Sequence, residues 1–180
     1  IRAVIQERFL KGLEIAESLS ATHMVIHSPF TYWHLLNHRN YPDVLGLMFS
    51  AAADCLEPVL KRAAETGCTL MLENIDDTDP ATRVELVRQI DHPNLKISID
   101  TGHADLAHGR YQAPPVNDFI AAAAGCLGHV HLQVGALAPA EAFYAGRLGL
   151  DVTCRYPGAS FFAAGGYHHH LAANIWNSRG

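Results

Sequence analysis

The chain has 180 residues, of which 49% are hydrophobic and 17% are charged, and these values are ordinary for a globular protein. Its formal net charge is −5 at pH 7 and no stripe of basic residues is present, so we expect no nucleic-acid partner. No apolar run approaches the roughly 18 residues of a membrane span, so we expect no membrane association. The four cysteines form no C-x-x-C pair, which predicts buried thiols in a reducing cytoplasm. The chain starts at Ile1 without a signal-peptide pattern, from which we expect a piece of a longer cytoplasmic protein.

The first part of the chain alternates helical and strand patterns. Recurring apolar residues at helical spacing predict helices, and short apolar runs predict buried strands. Asp79 followed by Pro80 is typical of a helix start, and Gly67 is typical of a helix end. The predicted elements in chain order are helix 1–20, strand 24–27, helix 43–65, strand 69–74, helix 79–90, strand 95–100, helix 116–126 and strand 128–134. This alternation predicts parallel strands that are joined by crossover helices.

The last third of the chain follows another rhythm. One short helix is predicted over residues 139–148, and β-like runs follow at 151–156, 159–164 and 168–176. Pro157-Gly158 and Gly165-Gly166 separate these runs as turns. Counted from strand 128–134, this segment therefore has the order β-α-β-β-β, which differs from the alternation before it.

Metal-competent side chains end three of the predicted strands. These residues are Glu73, Asp100 and His131, and His27 and His103 lie at equivalent positions. In an α/β barrel the carboxyl ends of the strands open onto one face, so we expect these residues to converge. Carboxylates and imidazoles together suit a divalent ion such as Mn²⁺, Mg²⁺, Co²⁺ or Zn²⁺. Such an ion would offset the cost of placing carboxylates at the ends of buried strands.

Four motifs carry a family resemblance over residues 1–133. They are His27-Ser28-Pro29, Leu72-Glu73-Asn74, the run from Ile99 to His103 and the run from His129 to Leu132. In this order and spacing they resemble the sugar phosphate isomerase/epimerase family, whose fold is the xylose-isomerase-like TIM barrel. The resemblance implies an α/β fold here, a partial TIM barrel of about four βα units.

The same resemblance implies a metal site and a reaction class. Glu73, Asp100 and His131 match the family's metal ligands, and a fourth ligand, a Glu on a late strand, has no counterpart in this chain. Glu73 and His103 match catalytic positions, while His27 and His103 match the substrate site. The implied reaction is the isomerisation, epimerisation or dehydration of a small sugar, polyol or keto acid. In it a metal polarises a carbonyl and Glu73 moves a proton.

A second resemblance covers residues 128–180. The run from Gly128 to Val134, the segment from Ala140 to Val152 and the later His168-His169-His170 run are similar to the vicinal-oxygen-chelate superfamily. That superfamily contains glyoxalases and catechol-2,3-dioxygenases. The resemblance implies half of such a domain, with His129 and His170 as ligands of Fe or Mn. Its carboxylate ligand belongs to a paired module that this sequence lacks.

Residues 128–133 belong to both resemblances, which leaves three readings open. The first is an incomplete metal-dependent isomerase, epimerase or dehydratase with a small-molecule substrate. The second is an extradiol dioxygenase fragment whose third ligand comes from another chain. The third is a non-catalytic partial chain that forms homo-oligomers, because open strand edges recruit partners. We hypothesise that the chain is a chimera that joins the two families at Gly-His-Val-His-Leu-Gln, residues 128–133.

Overall fold

The computed structural model describes residues 1–37, 40–123, 127–164 and 169–176. The helices are α1 Arg2–Ser18, α2 Tyr32–Asn37, α3 Val44–Thr66, α4 Pro80–Ile90, α5 Thr101–Tyr111, α6 Val116–Ala122 and α7 Leu137–Tyr144. The strands are β1 His23–His27, β2 Thr69–Glu73, β3 Leu95–Asp100, β4 Leu127–Gln133, β5 Asp151–Tyr156, β6 Ala159–Ala163 and β7 Leu171–Asn174.

The seven strands form one mixed sheet in the order β1-β2-β3-β4-β7-β6-β5. Strands β1 to β4 pair in parallel through crossover helices, as the alternating pattern predicts. Strand β7 also pairs in parallel with β4, and β5, β6 and β7 form an antiparallel meander. The barrel-like half and the terminal meander are therefore continuous, with β4 as their common strand.

Strand alternation separates an apolar face from a polar face. Leu70 and Leu72 on β2, and Ile97 and Ile99 on β3, are buried in the main core with side chains of α1, α3 and α4. The intervening residues, which include Glu73 and Ser98, lie on the opposite face, here called the inner face. A smaller core packs α7 against β6 and β7. The helices therefore cover one face of β2 and β3 and leave their polar residues on the other.

Two predicted helix boundaries are confirmed. Helix α3 ends at Gly67, whose φ of 68° is the left-handed conformation that favours glycine. Helix α4 begins after Asp79, whose side chain accepts a hydrogen bond from the Ala81 amide at 2.9 Å, and Pro80 occupies the first turn. None of the described helices is both long and apolar enough to cross a membrane.

Other local predictions need correction. The sequence predicts no helix at Thr101, yet α5 starts there because an Asp100 carboxylate oxygen accepts a hydrogen bond from the His103 amide at 2.8 Å. Strand β7 is shorter than its predicted run of residues 168–176. Residue 168 and the predicted Gly165-Gly166 turn lie outside the described residues.

The cysteine prediction is correct in part. Cys55 and Cys68 are buried, and burial raises the pKa of both thiols. Cys154 is exposed because it lies on β5, the strand at the end of the sheet order. Cys126 lies outside the described residues.

Two features stabilise the meander. Glu141 on α7 accepts hydrogen bonds from Arg155 on β5 at 2.8 Å and from Ser160 on β6 at 2.6 Å, and these bonds hold the pKa of Glu141 below its usual value. The turn between β5 and β6 contains Gly158 at a φ of 81°, and a Cβ there would lie 2.7 Å from the Trp176 indole nitrogen. Glycine is therefore required at this turn by both backbone conformation and close contact.

Candidate functional site

Three buried polar residues form a hydrogen-bond chain across the inner face. Glu73, Ser98 and His129 are register neighbours on β2, β3 and β4. The Ser98 hydroxyl donates to Glu73 Oε1 at 2.8 Å and lies 2.9 Å from His129 Nε2. The exposed fractions of the three residues are 7%, 0% and 1%. This Glu73–Ser98–His129 chain is therefore shielded from water.

The direction of the protons in this chain follows from the chemistry of the hydroxyl. A serine hydroxyl has one proton, and Ser98 gives it to Glu73. The Ser98 oxygen must then accept the second bond, which makes His129 Nε2 the donor. In a neutral imidazole the other nitrogen carries the lone pair. Nδ1 of His129 is therefore the atom that can bind a metal ion.

A cluster of three histidines lies next to this chain. Within the described parts of the sequence, the metal-competent group consists of His129, His131 and His169, whose ligand atoms all lie within 4.8 Å of one another. The ring centroid of His129 is 5.0 Å from that of His131 and 4.6 Å from that of His169. The Phe161 ring lies 5.0 Å from His169 and 6.3 Å from His131. The histidine cluster is thus bordered on one side by an aromatic side chain.

Burial leaves Nε2 of His131 unsatisfied. His131 Nε2 is buried and has no hydrogen-bond partner among the described residues. The main chain of His131 is fixed, because its carbonyl accepts a hydrogen bond from the Thr101 hydroxyl at 2.7 Å. An unsatisfied buried nitrogen costs about 1–3 kcal/mol, so this arrangement favours a ligand that accepts the lone pair.

Asp100 is held beside the cluster by its neighbours. The Asn74 side chain donates to the Asp100 carbonyl at 2.8 Å and accepts from the Asp100 amide at 2.9 Å. One Asp100 carboxylate oxygen caps α5 through the His103 amide. Asp100 is the register partner of His131 on β4, so the two residues lie on adjacent strands at the same level.

The structure brings only part of the sequence-predicted barrel site into the histidine cluster. His131 belongs to it, whereas Glu73 and Asp100, which end β2 and β3, are outside it. His103 lies in the first turn of α5 and is half-buried. His27 is exposed at the end of β1 and lines an apolar cavity of about 410 Å³ between α1 and α3.

Of the two histidines predicted for the alternative site, His129 and His170, one lies in the histidine cluster. His129 lies in the cluster, but His170 is exposed, and its ring nitrogen accepts a hydrogen bond from the Ala164 amide at 3.3 Å. The backbone of His170 pairs with both Phe162 and Val130, which directs the preceding side chain, His169, to the cluster. His168 lies outside the described residues.

Sequence reasoning missed Ser98 and His169. Ser98 is separated from Asp100 by one residue, so strand alternation in the Leu-Lys-Ile-Ser-Ile-Asp run could have placed both on one face. His169 was one of three adjacent histidines, and the run itself contains no signal that selects it.

A pair of buried charges near Glu73 was also missed. Arg83 on α4 is 1% exposed, and Asp77 accepts hydrogen bonds from the Ser28 hydroxyl at 2.8 Å and the Ile75 amide at 3.1 Å. Burial raises the pKa of Asp77 despite the attraction of Arg83, and burial lowers the pKa of Arg83 despite Asp77 and Glu73. The attraction between Asp77 and Arg83 therefore offsets part of the cost of burying each charge.

Comparison with known proteins identifies relatives for most of the chain. The family profile described as "Xylose isomerase-like TIM barrel" matches residues 2–139. The TTHB071 protein from Thermus thermophilus, in a crystal soaked with ZnCl2, is 26% identical with a TM-score of 0.53, over 73% of this chain and 49% of that protein. A protein of Anabaena variabilis ATCC 29413 that is classed with the sugar phosphate isomerases/epimerases is 15% identical with a TM-score of 0.54, over 96% of this chain and 54% of that protein.

One relative matches a short segment only. The catechol-2,3-dioxygenase of Bacillus subtilis (strain 168) is 51% identical over 55 residues, which make up 29% of this chain and 19% of that enzyme. The chain thus spans about half the length of the solved structures named above and a fifth of this enzyme. Its fold is a TIM-barrel-like α/β half-barrel.

Proposed function

The chain belongs to the xylose isomerase-like TIM barrel family, and on this premise we propose that it carries part of a divalent-metal-dependent isomerase, epimerase or dehydratase site. The substrate class is a small sugar, polyol or keto acid. The observation that carries the proposal is that Glu73 and Asp100 end the adjacent parallel strands β2 and β3, and that Asp100 is the register partner of His131 on β4. The family match and the fold of 3-keto-D-glucoside 4-epimerase from E. coli, at a TM-score of 0.54, support it.

The residues fit a metal-assisted proton transfer next to a carbonyl. A divalent ion, held here by Glu73, Asp100 and His131, would polarise the substrate carbonyl. Glu73 Oε1 is occupied by the Ser98 hydroxyl, so we assign Oε2 as the atom that accepts the substrate proton. His103 and His27 complete the substrate site in this proposal. The buried Arg83, which attracts Glu73, keeps positive charge behind the base.

Solvent-proton exchange tests this function. The chain is incubated in D₂O with Mn²⁺ or Co²⁺ and a panel of ketohexoses, and deuterium incorporation next to the carbonyl is measured by mass spectrometry. We expect exchange with the wild type and its loss in Glu73→Gln. Glu85→Gln is the matched control, because Glu85 is exposed on α4 and bonds only to Gln89 among the described residues. Absence of exchange with every metal and substrate would contradict the proposal.

A second candidate function is extradiol cleavage of a catechol. Two observations favour it: the 51% identity to catechol-2,3-dioxygenase over 55 residues, and the order β4-β7-β6-β5 of the β-α-β-β-β segment. Vicinal-oxygen-chelate enzymes use such a module, and His129 is their matching ligand here. Oxygen consumption with catechol after anaerobic loading with Fe²⁺ would support this candidate. No consumption above that of free Fe²⁺ would contradict it.

The division of the chain into segments 1–133 and 128–180 stays a prediction. We propose that the junction lies in β4, because that strand pairs with β3 on one side and with β7 on the other. Amplification of the source DNA across residues 128–133 tests the chimera hypothesis. A native product that spans both segments would refute an artificial join, and two separate products would support it.

The non-catalytic reading predicts self-association. Strands β1 and β5 end the sheet, and an exposed Val25 lies on β1. Sedimentation velocity across a hundredfold range of concentration tests it. A size that increases with concentration supports association through these edges, whereas a constant monomeric size contradicts it.

A further inference from the structure

We infer that His129, His131 and His169 together bind one transition-metal ion, and that Glu73 and Ser98 position this site. The inference goes beyond the proposed function, because it assigns a ligand set that contains no carboxylate and that unites the two segments of the chain. Because His131 belongs to both ligand sets, the two sites are alternatives, and metal binding by variants separates them.

The geometry of the cluster is close to that of a bound site. Ligand atoms around a tetrahedral ion with bonds of about 2.0–2.1 Å lie about 3.4 Å apart. The ligand atoms here all lie within 4.8 Å of one another, so modest side-chain rotations would close the site. His129 and His131 are two residues apart on β4 and therefore face the same side. His169 lies two residues before the first residue of β7 and therefore outside the regular strand, which makes it the ligand best able to adjust.

Burial explains why an ion would stabilise this arrangement. His129 is 1% exposed, and Nε2 of His131 is a buried nitrogen with no hydrogen-bond partner in the described chain. The His131 and His169 rings also pack beside Phe161, whose apolar ring offers them no hydrogen-bond donor. A metal ion accepts lone pairs from all three imidazoles at once, and it thereby offsets their desolvation.

The Glu73–Ser98–His129 chain prepares one ligand in advance. Because Ser98 donates to Glu73, Nε2 of His129 is the protonated nitrogen and Nδ1 carries the lone pair. Metal-bound histidines commonly donate their second ring nitrogen to such a partner, which fixes ring orientation and tautomer. Glu73 and Ser98 are thus positioning residues in this site and do not contact the ion.

The donor set predicts which ions bind. Three neutral imidazole nitrogens suit Zn²⁺, Co²⁺, Ni²⁺ or Cu²⁺, whereas Mg²⁺ and Ca²⁺ prefer oxygen ligands. A carboxylate-rich site made of Glu73, Asp100 and His131 would favour the harder ions instead. The ion preference therefore separates this site from that of the proposed function.

Titration of the full chain with Co²⁺ tests the inference, with visible absorption and calorimetry as readouts. We expect one ion per chain and no competition from excess Mg²⁺. Both His169→Ala and His131→Ala should weaken binding by a hundredfold or more. His170→Ala is the matched control, since it removes the adjacent exposed histidine, and its affinity should equal that of the wild type. Unchanged binding in His169→Ala, or loss in His170→Ala alone, would overturn the inference.

Folding defects are separated from ligand loss by two further measurements. Circular dichroism melts of each variant without metal report folding directly, and His169→Gln provides a second, polar replacement in case His169→Ala fails to fold. Ser98→Ala should weaken Co²⁺ binding about 10–100-fold and alter the visible band, and Ser98→Thr, which keeps the hydroxyl, should restore both. A Ser98→Ala variant that binds like the wild type would refute the positioning role.

Failure of this inference and failure of the proposed function have different signatures. Loss of metal binding in Asp100→Ala with retention in His169→Ala supports the carboxylate site and overturns the histidine site. Loss in His169→Ala, combined with the absence of solvent-proton exchange in the wild type, supports the histidine site and contradicts the isomerase proposal.

Discussion

Replacement of Ser98 by alanine removes the centre of the buried hydrogen-bond chain. The variant leaves Glu73 Oε1 and the His129 Nε2 proton without the hydroxyl that serves both, at a position that is 0% exposed. Each buried polar group left unsatisfied costs about 1–3 kcal/mol, so we expect a loss of about 2–6 kcal/mol for the two groups. A whole domain is stable by only about 5–15 kcal/mol, so this loss is large. At about 2–4 °C for each kcal/mol, the melting midpoint should fall by roughly 10 °C.

Urea denaturation of Ser98→Ala and Ser160→Ala measures this effect against a matched control. Ser160 is also buried and also donates to a carboxylate, that of Glu141 at 2.6 Å, but it serves one partner, which Arg155 also holds. We expect its replacement to cost about 1 kcal/mol. Equal losses in the two variants, or a loss below about 0.5 kcal/mol in Ser98→Ala, would refute the reasoning from two unsatisfied groups.

Three further predictions concern residues outside the histidine cluster. Gly158→Ala should destabilise the meander by about 1–3 kcal/mol, because Gly158 has a positive φ and lies close to the Trp176 indole. Gly135→Ala is the control and should be neutral, because open space surrounds Gly135. Thermal melts of the two variants measure the difference. Arg83→Leu removes the positive charge that attracts the buried Asp77 and should destabilise the protein by about 0.5–3 kcal/mol. Asp77→Asn added to it should recover part of the loss in urea denaturation, and no recovery would contradict this coupling. The hydrogen bond from the β5 arginine is the main cause of the lowered pKa of Glu141. The stability advantage of the wild type over Glu141→Gln should therefore be complete above the ordinary glutamate pKa of about 4.3 and should disappear as the pH falls through the lowered value. Urea midpoints at pH 7 and pH 3 test this, and an advantage at pH 3 as large as that at pH 7 would contradict it.

Much of the fold could be predicted from local patterns. Buried apolar residues recur at every second position of β2 and β3, because one face of these strands packs against the helices. This recurrence is visible without knowledge of the strands' partners. Asp79 and Gly67 mark helix boundaries through their own backbone chemistry. Helix α5 was not predicted, because Asp100, which caps this helix, is also the last residue of β3 and was interpreted only as a strand end.

The site was less predictable because its contacts cross strands. Ser98 is separated by 25 residues from Glu73 and by 31 from His129, so only the sheet register makes them neighbours. Whether His169 or His170 lies in the histidine cluster depends on the parallel pairing of β7 with β4. No sequence motif predicts this pairing. Sequence therefore identifies the residue types at strand ends, and register decides which of them meet.

The place of β4 between two kinds of pairing also has a kinetic consequence. The meander of β5, β6 and β7 is made of local contacts, which form early in folding, whereas β4 pairs with β7 across about forty residues of chain. His169 is joined to the meander, and His129 and His131 belong to β4. The three rings can therefore meet only when the slow, non-local pairing is made. The rate at which a folding chain acquires its affinity for Co²⁺ should report this last step of sheet assembly.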